Sequence, residues 1–382
     1  MTEVSIVRCA DYSQDECTRA LTQVLEPLGG LSWVKPGMKI VIKANLVSAM
    51  KPEKAATTHP TLLAALTRLL TARGASVVIG DSPGGLYNAA FLNRVYAATG
   101  MREAEDAGAV LNHDFSQNNA DFPDAHVARH FTYTAYLDGA DAIISFCKLK
   151  SHGMMSLSAA TKNLFGVIPG TMKPEYHFRY PDPMDFAGMI VDLNSYFKPC
   201  LFLVDAVETM EGNGPTAGTP RYMGALLAGT DCHKTDLICA KLIGLDPMAV
   251  PTLRAAANFG LCPENADEVA VSGNVEEFAL ADFQRIERKR SLQFESILPG
   301  RAGKAFGKIA QKALRSSPRL KKKECVGCGL CANVCPAKAI GIVEKKAHID
   351  KSKCIRCFCC QEFCPKGAMK VHRPLPARIL NR

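Results

Sequence analysis

The chain has 382 residues, 47% of them hydrophobic, with a formal net charge of +9, a length that suits one large domain with a substantial core and one small domain. Sixteen cysteines in a chain this long and this apolar exclude the small disulfide-stapled secreted class. The first eight residues carry an acid and no apolar run, so no secretory leader is expected; no stretch has the uninterrupted apolar length of a membrane span, and a cytoplasmic protein is expected.

From residue 1 to about 285, short runs rich in valine and isoleucine alternate with helical patterns, the order of an α/β domain on a mainly parallel sheet. Residues 39–43 read as a strand. Residues 59–70 read as a helix, with Pro60 suited to the first helical position, Thr58 or His59 to the cap and Gly74 to the stop. Residues 76–80 form the next strand, and further strands are expected at 141–146 and 201–204. Helices are expected near 156–165, 185–197 and 234–243. The seven cysteines before residue 300 (Cys9, Cys17, Cys147, Cys200, Cys232, Cys239 and Cys262) show no close pairing, and burial is their expected role.

Each expected strand runs into polar residues. Lys43 and Asn45 follow the first, Asp81 the second, Lys148, Lys150 and His152 the third, and Asp205, Glu211 and Asn213 the fourth. In open α/β sheets ligands bind outside the carboxyl ends of the strands. Each residue alone has a plainer reading, as a solvated lysine, a hydrogen-bonded loop histidine or an aspartate capping a turn. Their convergence makes Lys148, His152, Lys162 and Glu211 the candidate catalytic residues. Lys43, Asn45, Asp81, Lys150, Asn163 and Asn213 are the candidate binding residues. Lys148, Lys150 or Lys162 would hold an anion, His152 or Glu211 would exchange a proton, and Asp81 or Asp205 would orient a lysine or bind metal. Gly166 suits a left-handed cap after the helix that carries Lys162. The run Gly80-Asp81-Ser82-Pro83-Gly84-Gly85 matches no nucleotide-binding fingerprint, although its amides could cradle an anion. No motif indicates a flavin.

These segments resemble a family of uncharacterised function, DUF362. The likeness rests on Lys43-Ala44-Asn45-Leu46-Val47, Thr58-His59-Pro60, Ile79-Gly80-Asp81-Ser82-Pro83-Gly84, Lys148-Leu149-Lys150-Ser151-His152-Gly153, Lys162-Asn163-Leu164-Phe165-Gly166 and Glu211-Gly212-Asn213-Gly214-Pro215. It implies an α/β domain associated with electron transfer, and names no reaction.

Residues 301–324 hold nine basic residues against one acid, so the remainder of the chain is near neutral. Arg301, Lys304, Lys308, Lys312 and Arg315 fall on one helical face, with Phe306, Ile309, Ala313 and Leu314 on or near the other. A solvated connecting helix that attracts an acidic redox partner protein is the favoured reading. Nucleic acid is disfavoured, because one helix with a single aromatic is a weak signal for it.

Two copies of one cysteine spacing close the chain: Cys325, Cys328, Cys331 and Cys335-Pro336, then Cys354, Cys357, Cys360 and Cys364-Pro365. Eight cysteines in two such runs favour two 4Fe-4S clusters over zinc, whose ribbons need four ligands in two pairs. The expected ligand sets are crossed, Cys325, Cys328, Cys331 and Cys364 for one cluster and Cys354, Cys357, Cys360 and Cys335 for the other. Cys359 is left over and reads as a packing thiol. These last sixty residues resemble the bacterial two-cluster ferredoxins, with a hairpin expected from 339–343 and 347–350. The organisation is then an α/β domain over 1–290, a basic linker helix over 291–323 and a small α+β ferredoxin-like domain over 324–375. The favoured function is an iron–sulfur oxidoreductase passing electrons to a small anionic substrate or cofactor at the sheet edge. A ferredoxin-type electron carrier with no chemistry of its own is the alternative, and a cluster-based redox sensor comes third.

Overall fold

The computed structural model describes residues 2–285 and 316–372. Eleven strands of the large domain are β1 (Val4–Arg8), β2 (Lys39–Lys43), β3 (Ser76–Gly80), β4 (Ala109–Leu111), β5 (Gln117–Asp121), β6 (His130–Thr134), β7 (Ala142–His152), β8 (Ser156–Ser158), β9 (Leu201–Glu211), β10 (Thr219–Gly229) and β11 (Val271–Ser272). Nine of them form one sheet in the order β11-β1-β10-β9-β7-β2-β3-β4, with β8 folded back on β7. The stretch β9-β7-β2-β3-β4 is parallel throughout, whereas β10 pairs antiparallel with both β9 and β1. The large domain is therefore α/β with a mostly parallel, mixed sheet.

Period-two alternation puts the sheet between two apolar layers. Ile40, Ile42, Ile144, Phe146, Leu201 and Leu203 enter one core with helices α1 (Gln14–Leu25) and α2 (Pro60–Thr71). Val41, Cys147, Phe202 and Val204 enter the other, against helices Pro183–Phe197 and Cys232–Leu242. Helix α2 begins as expected, with Pro60 in its first turn and the His59 ring accepting from the Thr61 amide at 3.3 Å. The strands at 142–152 and 201–211 run several residues further than the sequence suggests, so Lys148, Lys150 and His152 lie within a strand and are buried. The single helix expected at 156–165 is instead β8, a one-turn helix (Ala160–Asn163) and a 3₁₀ turn (Leu164–Val167). The buried Asp236 carboxylate accepts from the Ala160 and Thr161 amides and so sets where that helix starts.

The C-terminal module is a small antiparallel structure. Ser317–Leu320 pairs with Met369–His372, and Ile340–Val343 pairs with Lys346–Ile349. The strand Ser317–Leu320, which precedes the expected boundary at 324, pairs into the module's own sheet. The basic helix expected over 301–315 lies outside the described residues. After each run of three cysteines comes one helical turn, Leu330–Asn333 or Cys359–Glu362.

The two repeats differ where the module meets the large domain. Gly327 and Gly329 of the first run hold φ of +69° and +78°. Arg356 and Phe358 take the matching places in the second with φ of +63° and +64°. A left-handed non-glycine residue costs on the order of 1–2 kcal/mol. Phe358 offsets this by burial, 1% exposed, within the large domain's own core. Beside it the Gln361 amide donates to the carbonyls of Asn213 (2.8 Å) and Gly214 (2.9 Å), and the Val371 amide donates to Asn213 Oδ1 at 3.1 Å. Gly84 has no room for a Cβ because the Phe363 ring would lie 2.7 Å from it. Phe358→Ala should lower the unfolding free energy by roughly 3–5 kcal/mol. Phe358→Gly should cost less than Phe358→Ala, the reverse of the usual order, since glycine removes the left-handed strain. Urea unfolding of the two variants checks this, and alanine proving the milder change would contradict it.

Candidate functional site

The parallel strands β9, β7, β2 and β3 are neighbours, so their carboxyl ends share one edge. Two buried ion pairs form there. Lys43 Nζ lies 2.8 Å from Asp81 Oδ1 and donates to Asn163 Oδ1 (2.9 Å) and the Ala44 carbonyl (2.7 Å). Asp81 also accepts from the Leu46 and Ser82 amides. Asn163 returns bonds to the Lys43 carbonyl and to Ser145 Oγ. Lys148 Nζ lies 2.6 Å from Asp205 Oδ2 and donates to Tyr12 Oη at 2.8 Å; Tyr12 Oη in turn donates to Asp205 Oδ1. Tyr12 stacks on His59 with ring centroids 3.6 Å apart. Burial lowers the pKa of both lysines, and each aspartate opposes that shift.

A cavity of about 300 Å³ opens between this edge and the cysteine module. Asn45, Asp81, Lys150, Lys162, Asn163 and Lys173 line it from the large domain, and Glu362, Phe363, Cys364 and Pro365 line it from the module. Among the described residues Lys150 donates to neutral partners alone, Asn45 Oδ1 at 2.5 Å and the Ala56 carbonyl at 2.6 Å. Burial, and next the Lys162 charge, push its pKa down to about 7. Lys173 donates to the Phe165 carbonyl (2.9 Å) and to that of Ile168, and burial lowers it to about 7 as well. Lys162 is half-buried, and among the described residues its ammonium makes no hydrogen bond or ion pair; burial lowers its pKa while Glu362 opposes. Three ammonium groups thus surround one cavity, and among the described residues no carboxylate is bonded to them.

Glu362 is the module's charged contribution. Its Oε1 lies 2.9 Å from His152 Nε2, although off the line of a hydrogen bond. His152 Nδ1 accepts from the Met154 and Met155 amides, which assigns its proton to Nε2, facing Glu362. Burial, then Lys162, drops the histidine pKa to about 4, so the ring is neutral at pH 7. Burial alone would raise the Glu362 carboxyl, but the His152 contact and the Lys162 and His177 charges outweigh it and hold the group well below the ordinary carboxylate range.

Several expected site residues sit elsewhere. Lys148 is turned to Asp205 and Tyr12 and does not line the cavity. Glu211 accepts from the Gln284 amide at 2.9 Å and fixes that segment. Asn213 anchors the module through its carbonyl and Oδ1. The amides of Ser82 and Gly84 already donate to the Gly166 and Val47 carbonyls, so they do not form an anion cradle. Gly166 is no left-handed cap; a Cβ there would lie 2.2 Å from both Asp81 Oδ1 and Lys43 Nζ. Lys173, Glu362 and the buried His177, stacked on Phe186 at 4.3 Å, were not anticipated. Glu362 lies inside the second cysteine spacing, where the ligand pattern drew attention away from its neighbours. Nothing local marks Lys173 or His177.

In the module, Cys325, Cys328, Cys331 and Cys364 line one hollow together with Leu320, Ile342, Ala347 and Met369. Burial, then Cys364, Cys328 and Cys325, raise the Cys331 thiol. Burial raises Cys354 too, with Cys357 and Cys335 adding to it. The cysteines are free, and the Ala339 and Ala368 amides donate to Cys335 Sγ and Cys364 Sγ, both at 3.2 Å, as equivalent bonds in the two repeats. No group of three or more His, Cys, Asp or Glu side chains among the described residues is arranged for a single metal ion. A four-iron cube instead takes each sulfur on a different iron, which fits a hollow ringed by thiols. Cys359 is wholly buried and does not line the hollow.

The family model described as a domain of unknown function, DUF362, matches residues 40–241, and the chain belongs to that family. The model for a 4Fe-4S dicluster domain matches residues 317–365. A thylakoid-associated protein of Synechocystis sp. is 32% identical over 267 residues, 69% of this chain and 81% of that protein. Among solved structures, the lactate racemase apoprotein of Thermoanaerobacterium thermosaccharolyticum is similar with a TM-score of 0.40 at 13% identity, over 62% of this chain and 57% of that one. A Thermotoga maritima protein gives 0.34 at 12%, over 57% and 56%. This chain spans less than two thirds of either, and at such distance neither bears on ligand or reaction. No helix among the described residues is long and apolar enough to cross a membrane.

Gly166→Ala should break the Lys43–Asp81 contact and cost roughly 3–5 kcal/mol, the range for an uncompensated buried charge. Chemical denaturation reads this directly; a loss under about 1 kcal/mol would mean that the pair relaxes around the methyl group.

Proposed function

We propose that this DUF362 chain is an iron–sulfur oxidoreductase in which two 4Fe-4S clusters feed electrons to an anionic substrate or cofactor held in the lysine-lined cavity. The observation that carries the reading is that Cys364 lines the same cavity as Lys150 and Lys162. Cys325, Cys328, Cys331 and Cys364 would hold one cluster, and Cys354, Cys357, Cys360 and Cys335 the other. When bound, the clusters supply single electrons. Lys162, which sits over the Phe165 ring and makes no hydrogen bond or ion pair among the described residues, meets the anion. Lys150 and Lys173 add charge on either side, and Asp81 and Asn163, which line the cavity, are held in place by Lys43 behind them. Proton exchange falls to Lys150 Nζ, whose pKa of about 7 suits transfer near neutrality. Glu362 is held ionised against His152, and its charge at the module side orients the ligand toward the lysines.

The alternative, a carrier with no chemistry of its own, draws support from the exposure of Cys328, which opens the first cysteine loop to a partner.

Anaerobically isolated protein should contain about eight irons and eight acid-labile sulfides per chain. Cys357→Ser should lose about half of the iron while Cys359→Ser keeps all of it, by iron analysis. Equal loss in both would shift the ligand register of the second run.

Sulfate or malonate should raise the melting temperature of the iron-loaded parent, as any ligand selective for the native state must. Lys162→Met should abolish that rise and leave iron content and visible absorption unchanged. Lys150 and Lys173 have folded pKa values of about 7, below the ordinary lysine value. They are charged below pH 7 and lose charge above it, so affinity for sulfate, dianionic throughout, should fall several-fold as pH rises from 6 to 8. A melting temperature indifferent to every anion would favour the carrier reading.

A further inference from the structure

The module's outer face carries a second kind of surface. Val326 is 57% exposed, Val343 54% and Ile342 37%, the last two on the hairpin strand Ile340–Val343. They are brought together physically. A Cβ on Gly327 would lie 2.4 Å from the Lys345 carbonyl, so the first cysteine loop rests on the hairpin turn, and Lys346 Nζ donates to the Cys325 carbonyl at 2.6 Å. Val326 and Ile342 also line the hollow ringed by Cys325, Cys328, Cys331 and Cys364. The apolar patch therefore lies directly over those thiols, with Cys328 exposed beside it.

Its surroundings are charged with a basic excess: Lys322, Lys323 and Lys345 are exposed next to the patch residues in the chain, as are the acids Glu324 and Glu344, the first of which is paired with Lys321. Between residues 316 and 372 the chain has twelve Lys and Arg against four Asp and Glu. Two oxidised cubanes with their thiolates add roughly −2 each, so the loaded module stays positive. An apolar centre of a few side chains inside a charged rim is the anatomy of a protein interface, and a module of net positive charge steers a negative partner. None of the exposed large hydrophobic residues of the module is aromatic, which argues against a stacking platform for single-stranded nucleic acid.

We infer that this face docks an acidic one-electron carrier protein, of the flavodoxin or plant-type ferredoxin class, which exchanges one electron with the cluster beneath it. The carrier's cofactor changes by one electron, the cluster changes by one in the opposite sense, and no atom moves between them. This goes beyond the function proposed for the lysine cavity and holds whether or not that cavity binds an anion.

The test uses full-length, iron-loaded protein at low ionic strength, with an acidic flavodoxin and an acidic plant-type ferredoxin as probes. Binding is followed by fluorescence anisotropy, and electron exchange by anaerobic stopped-flow absorption. The parent should bind at least one carrier, with affinity and exchange rate falling as salt is added. The triple variant Lys322→Glu/Lys323→Glu/Lys345→Glu should lose at least tenfold in both, and Val343→Asp, which does not line the hollow, should weaken binding with the lysines intact. Iron content and direct reduction by dithionite should match the parent in both variants. Failure of both carriers to bind the parent would overturn the inference. So would an unchanged triple variant, or tighter binding of duplex DNA or of anionic phosphatidylserine vesicles than of either carrier at the same ionic strength.

Discussion

The seating of Phe358 in the large domain's core is the constraint on which the site depends. The first cysteine run turns through glycines and faces solvent. The second turns through Arg356 and Phe358 in the same left-handed conformation, and its phenylalanine ring leaves the module altogether. A module attached only by its linker would sample many positions. With Phe358 buried and Gln361 bonded to the Asn213 and Gly214 carbonyls, the turn carrying Glu362 to Cys364 has one place to be, above the sheet edge. The large domain meets it with small or shaped residues: Gly84 admits the Phe363 ring, and Asn213 supplies the acceptors.

Charge is distributed across that edge unevenly, and the unevenness separates structure from site. Lys43 with Asp81 and Lys148 with Asp205 are matched pairs on neighbouring strands. Each is buried with its hydrogen bonds made, so neither has capacity left for a ligand. Lys150 and Lys173 are buried and Lys162 is half-buried, and among the described residues no equivalent carboxylate is bonded to any of them. Burying a cation in this way is unfavourable, and folding retains it because the surrounding packing over-determines the positions. An incoming anion would relieve that cost, which is why these three lysines, rather than the two paired ones, define the cavity's chemistry.

The strand cores and the convergence of their polar ends were legible, because valine and isoleucine alternation and the strand-end rule are local or topological signals. The cysteine spacing was equally plain. Which face a polar residue uses was not, since that depends on partners far along the chain. Lys148 and Lys150 look alike in sequence, yet one meets Asp205 and Tyr12 and the other meets an asparagine and a carbonyl. Glu211 and Asn213 lie at the expected edge but serve backbone segments brought there by later parts of the chain. Gly166 follows a helix, which suggests a cap, whereas its real demand is the space taken by Lys43 and Asp81. Phe358 had a signal in the sequence: setting the two cysteine runs side by side shows a phenylalanine where the first run has glycine, an exchange that needs a pocket to receive it.

In the proposed reading, the crossed arrangement of the cysteines gives the two faces of the module different relations to one cluster. Cys364 belongs by sequence to the second run, lines the lysine cavity, and stands with Cys325, Cys328 and Cys331 around a single hollow. The outer wall of that hollow is Val326 and Ile342, at the exposed basic face. In the proposed reading one cluster therefore spans the distance from partner surface to cavity. The cluster of the second run, next to the buried Phe358, would sit deeper and act as a reservoir rather than as an obligatory relay. The hydrogen bonds from Ala339 and Ala368 to the crossing thiols are equivalent in length, so in that reading these two bonds would not set the potentials apart, whereas the burial of the second repeat and the Glu362 and Lys162 charges beside it would.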